Sequence, residues 1–407
     1  MNRPRSRWAL ALLRCGLCVA AVVYLAYNVP WHDHVRLDGP DGPRVRLIES
    51  HDDRVVVQRD GRAETVPLDH VHHVEISGQR VPDIELGIPS VVWQVDKLQA
   101  FWAIMLFAPV WFFQAYRLVL MVAIQGVRIS YWNAIKFTFA GNFFNFALPG
   151  TTGGDLVKAY YLTRYTHLKT EVVTTVFLDR AIGLFGILVL AAGGIALTRD
   201  TGQFGSLMTL LVTIFIGLMI GAVLIFSRRL RHGLKLPELA ARLPGGAQLL
   251  RIGRATVAMR RHKLKVVGSL VVTLILQSIV MVSAAVMAWA LGMRGSMTYY
   301  FIFVSIGFLI AAVPIAPPQA IGVMEYAYVQ FFTHDGLNTA SQALALAVAV
   351  RLIQLVWALP GVLVPLLGAH RPSKADLQAI QADDAADSAG AVLHPVGRGA
   401  QPSVSGE

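Results

Sequence analysis

Several charged residues stand where charge is expensive. Arg351 lies in ALALAVAVRLIQLVW and Arg180 in VFLDRAIGL, while Asp155 and Glu325 follow the Pro- and Gly-interrupted runs ALPGTTGGD and PPQAIGVME. An arginine at the centre of a hydrocarbon layer costs at least about 2.5 to 3.5 kcal/mol even on the mildest insertion scale, so each needs a partner or a task. Arg351 falls about 15 Å into its run by helical rise, with Gln354 three residues on and on the same helix face. A purely structural pair with Glu325 or Asp179 competes with a ligand role. Arg180 is about 12 Å from the nearer end of its helix, too deep to snorkel fully, whereas Arg117 is five or six residues from a boundary and within snorkelling reach.

The PGTTGGD turn adds anion chemistry. Gly150, Gly153 and Gly154 let backbone N–H groups approach a ligand, Thr151 and Thr152 add hydroxyls, and a half-helix opening near Asp155 presents its positive dipole end. The bland alternative is a C-cap and an N-cap joined by a tight turn, with Asp155 only capping. Its position inside an apolar run favours the ligand. Asn142 and Asn145, three apart on the preceding run, share a face and can line the same space or tie helices together.

Elements of a particular kind must position these groups. The chain of 407 residues is 55% hydrophobic and only 15% charged, and its mean hydropathy is +0.54. Soluble domains carry roughly 25% charged residues, so one ordinary soluble core is excluded. Apolar stretches at 8–27, 98–123, 172–197, 204–226, 266–291 and 341–367 are long enough to cross about 30 Å of hydrocarbon as helices. Residues 135–162 and 299–333 are apolar but broken by Pro and Gly. Broken backbone at membrane depth survives only where protein or a water-filled cavity satisfies it, so both segments are expected to line a cavity. Basic residues flank the first on both sides, and the two read as re-entrant helices entering from opposite faces, an inverted repeat whose binding site lies where the breaks meet.

Charge sets the orientation. Residues 227–265 hold eleven Lys or Arg against one acid, Glu238, which places that loop in the cytoplasm, with both termini. The net charge of +11 is thereby explained without nucleic acid. Residues 1–27 read as an uncleaved first transmembrane helix. Residues 28–97 alternate apolar and polar residues between DGPDGP and RDGR turns, the pattern of a small β-rich extracytoplasmic domain, and 371–407 read as a disordered tail. The expected fold is an all-α polytopic membrane protein of about six full spans plus two re-entrant broken helices, with that β-rich insertion. His70 and His72 would share a strand face, but no third metal ligand is evident, and no cofactor is called for. No nucleotide-binding or hydrolase motif occurs either.

NFFNFALPGTTGGDLVKAYYL, VFLDRAIGL, PPQAIGVMEYA and the late arginine run together resemble the flippase-like membrane family that includes the transmembrane region of lysylphosphatidylglycerol synthases, over about residues 98–370. The resemblance implies an inner-membrane protein with an internal lipid cavity, and places Asp155, Arg180 and Glu325 on motif positions. It has departures. Lys158 stands where an arginine is usual, the second break is poorer in glycine, and no soluble aminoacyl-transfer domain follows. The expected function is a flippase or transporter moving a lipid with an anionic headgroup, phospholipid or isoprenoid-linked. Asn142, Asn145, Gly150, Thr151, Thr152, Gly153, Gly154, Asp155, Lys158, Arg180, Glu325, Arg351 and Gln354 are its candidate binding residues. The alternative is a membrane-embedded transferase acting on a lipid carrier, with Asp155 or Glu325 as base.

Overall fold

The computed structural model describes residues 23–27, 29–198 and 262–366, apart from gaps at 40–41, 52, 60, 77–78, 148–152, 165–168, 313–319 and 335, together with a few isolated positions. Most of the first apolar run, the 204–226 run, the basic loop up to residue 261 and the tail lie outside the described residues.

Alternating apolar residues build a sheet near the N-terminus. Strands β1 (His34–Arg36), β2 (Arg44–Ser50), β3 (Arg54–Arg59), β4 (Arg62–Pro67) and β7 (Ile84–Glu85) form one antiparallel sheet in the order β4-β3-β2-β1-β7. The side chains of Val35, Val45, Leu47, Val55 and Val57 are buried on it and pack with Leu37 and Val71. Strands β5 (His73–Ile76) and β6 (Gln79–Pro82) pair separately. Asp33 ties this region to the helices: its carboxylate accepts from the Gly87 N–H at 2.7 Å and from the Ser90 hydroxyl at 2.8 Å. Ser90 lies in the short helix α1 (Ile88–Trp93).

The rest is helical. Helices α2 (Lys97–Phe107) and α3 (Pro109–Ile124) form one apolar rod, with Pro109 at the first turn of α3, where its missing N–H costs least. Asp96 caps α2 by accepting from the Leu98 and Gln99 N–H groups. Then follow α4 (Tyr131–Ala147), α5 (Gly153–Thr163), α6 (Lys169–Leu197), α7 (Lys263–Ala290), α8 (Met297–Ala311), α9 (Val323–Phe332), α10 (Ala340–Ala358) and a final turn α11 (Leu363–Leu366). Among the described residues, Lys97–Ile124, Leu178–Leu197, Lys263–Ala290 and Ala340–Pro365 are long and apolar enough to cross a membrane.

Small residues let these helices approach. A Cβ on Gly154 of α5 would stand 1.8 Å from the Gly141 carbonyl oxygen of α4, so the two backbones meet directly. A Cβ on Gly307 of α8 would stand 2.1 Å from the Tyr328 ring of α9. Helix α7 packs against α2, α3 and α6, and α10 packs against α9. Thr339 and Gln342 cap α10 reciprocally, and the Gln342 amide donates to the Leu291 carbonyl at 3.2 Å, linking α10 to the end of α7.

Candidate functional site

Polar side chains from apolar helices meet around a cavity of about 270 Å³. Its wall takes Gln114 and Arg117 from α3, Asn142 and Asn145 from α4, Asp155 and Lys158 from α5, and Asp179 and Arg180 from α6. Gln277 comes from α7, Phe308 from α8, Met324 from α9, and Arg351 and Gln354 from α10. Seven of the residues expected from the sequence are therefore gathered in one place: Asn142, Asn145, Asp155, Lys158, Arg180, Arg351 and Gln354. Gly150, Thr151 and Thr152 lie outside the described residues.

Three ion pairs organise the wall. Arg117 and Asp179 are 4% and 6% exposed, and they bond twice, Nε to Oδ1 at 2.6 Å and Nη2 to Oδ2 at 2.9 Å. Arg117 Nη1 also donates to the Thr273 hydroxyl at 3.1 Å, so one guanidinium joins α3, α6 and α7. This overturns the snorkelling reading of Arg117. The side chain is held inward by a fork-to-fork carboxylate pair, and nearness to a helix end could not reveal that partner. Arg180 Nη1 donates to Asp155 Oδ2 at 3.0 Å, linking α6 to α5. Adjacent residues Asp179 and Arg180 thus serve different neighbours, as successive positions on a helix must.

The third pair joins Arg351 to Glu325, which is 5% exposed and lies just behind the wall. Glu325 divides its carboxylate: Oε1 accepts from Arg351, and Oε2 accepts from the Gly322 N–H at 2.8 Å. That second bond closes the N-terminus of α9, where Gly322 has φ +85° and Ala320 φ +51°, a tight left-handed entry. Expected from the sequence as a candidate binding residue or as a structural partner of Arg351, Glu325 makes that pair and stands behind the cavity-lining residues.

The first break is closed differently. The Gly154 N–H donates to Asn145 Oδ1 at 2.8 Å, and the Gly154 Cα face is pressed on Gly141. Gly154 is therefore not available as an anion donor in this state; its lack of a side chain serves the α4–α5 contact. Asn142 donates to Gln114 Oε1 at 2.8 Å, so the two asparagines do both things open to them, lining the cavity and tying elements together. Gly153 is buried at the start of α5.

Lys158 differs from the three arginines. It is 4% exposed and lines the cavity, and no hydrogen-bond or ion-pair partner is recorded for it among the described residues. Asp155 and Asp179, whose charges act on it, are each also paired with an arginine. Gln114, Arg117, Asp179 and Gln277 were missed as site residues. A signal existed for them: Gln114 and Arg117 are three apart in FFQAYRLVL, and Gln277 is an isolated amide in TLILQSIV.

Among the described residues no group of three His, Cys, Asp or Glu is arranged to hold an ion. His70 ends a 3-10 turn, Leu68–His70, and does not stand on a strand beside His72, which removes the sequence-based pairing.

This is the wall of a polar chamber inside an apolar helical protein, and the comparisons agree with its class. A family model described as the lysylphosphatidylglycerol synthase TM region matches residues 86–361, and the chain belongs to that family. The matched segment begins one residue after β7. A comparison with curated proteins returns no match. The protein is thus a multi-pass membrane protein, and its family is consistent with a lipid-related function.

Proposed function

We propose that the protein is a lipid flippase or transporter that moves a lipid with an anionic headgroup between leaflets, the headgroup crossing through the polar cavity while the acyl or isoprenoid tails stay in the bilayer. The observation that carries this reading is the charge balance of the chamber. Arg117, Arg180 and Arg351 each face a carboxylate, and Lys158 adds a further cation in the wall. A buried lysine without a direct counter-ion is favoured in its charged form by an anionic guest, so the site and such a guest stabilise each other.

The two broken segments serve as opposing gates in this reading. In support, Asp155 and Glu325 are each the third residue of the half-helix after a break, and each pairs with an arginine 25 or 26 residues further on. Such a recurrence fits an inverted repeat with its site at the junction. The transferase reading is weaker for a specific reason. Asp155 and Glu325, the bases it would need, are both engaged by arginine.

The proposed placement is an inner membrane, with the sheet outside and the 227–265 loop and both termini in the cytoplasm. Cysteines introduced at Asp60, Gly245 and Gly390, after replacement of Cys15 and Cys18, test it by labelling of intact cells. Reaction at position 245 without permeabilisation would reverse the orientation. For the activity, full-length protein in liposomes is expected to move a fluorescent anionic phospholipid between leaflets with no nucleotide or donor substrate added. The rate should respond to voltage, since a unit charge crossing the field experiences about 2.3 kcal/mol per 100 mV. Unchanged lipid sidedness together with a chemically modified lipid would establish the transferase instead.

A further inference from the structure

A second cavity, of about 330 Å³, lies away from the polar chamber, in the seam between the sheet and the helices. Its sheet side takes Arg44 from β2 and Asp83, Ile84 and Glu85 from the passage into β7. Its helical side takes Val329, Gln330 and Thr333 from the end of α9, and Asn338, Thr339 and Ala340 at the start of α10. Tyr24, from the first apolar run, completes the wall.

Specific bonds hold this seam together. The Gln330 amide donates to the Tyr24 hydroxyl at 2.8 Å, and the Tyr24 ring meets Tyr326 edge-on at 4.9 Å between centroids. The Ser341 hydroxyl of α10 donates to the Pro30 carbonyl at 3.2 Å. The sheet side consists of residues that precede the segment matched by the family model.

Charge and hydrogen-bond capacity give different answers in this cavity. Arg44 Nη1 stands 3.1 Å from Glu85 Oε2, and Arg36 Nε stands 3.4 Å from Asp83 Oδ2. Two carboxylates therefore face two guanidinium groups, and the wall has no excess charge to offer an ion. The bonding capacity is not used up. Among the described residues no partner is recorded for Asp83 Oδ1, Glu85 Oε1 or Gln330 Oε1, and the Arg44 fork of five N–H groups has one recorded contact. Ile84, Val329 and Ala340 add an apolar surface beside these groups.

Independently of the transport reading, we infer that this seam is a second binding site, one that takes a neutral polyhydroxyl ligand of the saccharide class. Hydroxyl groups of the guest donate to Asp83, Glu85 and Gln330, Arg44 donates to a guest oxygen, and the apolar residues meet the C–H face of the ring. Hydroxyl bonds to carboxylates are charge-assisted and are the strong members of the set. A volume of about 330 Å³ stands at the lower end of small-ligand sites, about 300 to 1,000 Å³, which suits a group of monosaccharide size. The same chemistry can arrive from two sources, a free saccharide or the glycosyl headgroup of a lipid.

The test uses the full-length protein in detergent. Glucose, N-acetylglucosamine and myo-inositol are the free probes, read by titration calorimetry, with inorganic phosphate and choline as charged controls. Glucosyl-diacylglycerol against diacylglycerol, read by native mass spectrometry, is the lipid arm. Saturable binding of a free probe, or retention of the glucosyl lipid in preference to diacylglycerol, is expected, with neither charged control bound. Glu85→Gln should weaken that binding about ten- to a hundredfold, the worth of a hydrogen bond to a charged group, and Gln330→Leu should weaken it by a smaller factor. The Arg44–Glu85 pair is open, with side chains 59% and 24% exposed, so the unliganded Glu85→Gln protein should unfold at close to the wild-type temperature. A free probe that both variants weaken assigns the site to a soluble saccharide; glucosyl-lipid retention lost in both, with no free probe bound, assigns it to a lipid headgroup. Binding of none of the neutral probes, binding of phosphate or choline in their place, or neutral binding unchanged in both variants would overturn the inference and leave a solvent-filled seam. The transport reading is decided separately, by movement of lipid in liposomes.

Discussion

In α4–α5–α6 the acid that opens the half-helix, Asp155, meets Arg180, while its break is held by an asparagine, Asn145, reaching the Gly154 N–H. In α8–α9–α10 the corresponding acid, Glu325, meets Arg351 and caps its own half-helix through the Gly322 N–H. One region uses two side chains for what the other does with one. The difference leaves the first region free to carry a residue that the fold does not consume, Lys158, where the second carries the packed ring of Tyr328. Similar frames can thus be closed with unequal economy, and the surplus polar group marks the side where a ligand is expected.

A third pair, Arg117–Asp179, stands apart from both acid–arginine pairs and fixes α6 to α3. It is also the most enclosed, with side chains 5% and 9% exposed against 25% and 18% for Arg180–Asp155. The largest effect is expected here. Arg117→Ala or Asp179→Ala leaves a buried charge alone and should cost about 3 to 5 kcal/mol, seen as a collapse of the thermal unfolding midpoint in detergent. Arg117→Met combined with Asp179→Leu should recover much of that loss. A mild effect of either single change would mean that water reaches the pair.

The two acids should then separate by burial. Glu325 is the more enclosed and holds both Arg351 and the Gly322 N–H, so Glu325→Ala is expected to cost about 3 kcal/mol. Asp155→Ala, in the more open pair, should cost about 1 to 2 kcal/mol. Equal midpoints for the two variants would erase the distinction between a self-capping half-helix and one capped from its neighbour.

The glycine contacts follow. Gly154→Ala should destabilise by about 1 to 3 kcal/mol, because its Cβ would meet a backbone carbonyl that no side-chain change can move. Gly307→Ala meets the Tyr328 ring instead. A double-mutant cycle with Tyr328→Leu should therefore show the pair less destabilised than the sum of the single changes, a coupling that Gly154 does not share. Additivity at Gly307 and Tyr328 would show that helices α8 and α9 separate rather than press together.

How far these features were legible in the sequence depends on the interaction each one uses. Class and helix positions were open to reading, because an apolar run long enough to span a bilayer announces itself through local composition, as at Lys97–Ile124 and Lys263–Ala290. Asp155, Arg180, Glu325 and Arg351 stood out as charges inside such runs, and the cavity gathers three of them at its wall with Glu325 just behind. Arg117 was misread because its partner Asp179 is 62 residues away, a contact no local pattern encodes. Gly154 was read as an anion donor for a similar reason: its N–H is taken by Asn145, nine residues earlier, across the break. Local pattern finds which residues are costly; tertiary packing decides which of them are already satisfied.

The smallest expected effect tests whether the second break is as closed as this comparison holds. Tyr328 is fully buried, and its hydroxyl has no hydrogen-bond partner among the described residues. Its ring packs on Gly307 and against Phe332 at 5.3 Å between centroids, so the aromatic body carries the packing. Replacing the hydroxyl with hydrogen in Tyr328→Phe keeps that body and removes a buried polar atom, which is neutral or stabilising by about 1 kcal/mol at most. The unfolding midpoint should stay level or rise slightly, and lipid retention should be unchanged. A clear fall in lipid retention with the midpoint unchanged would mean that the hydroxyl reaches a ligand, and the polar seat would then extend to both breaks.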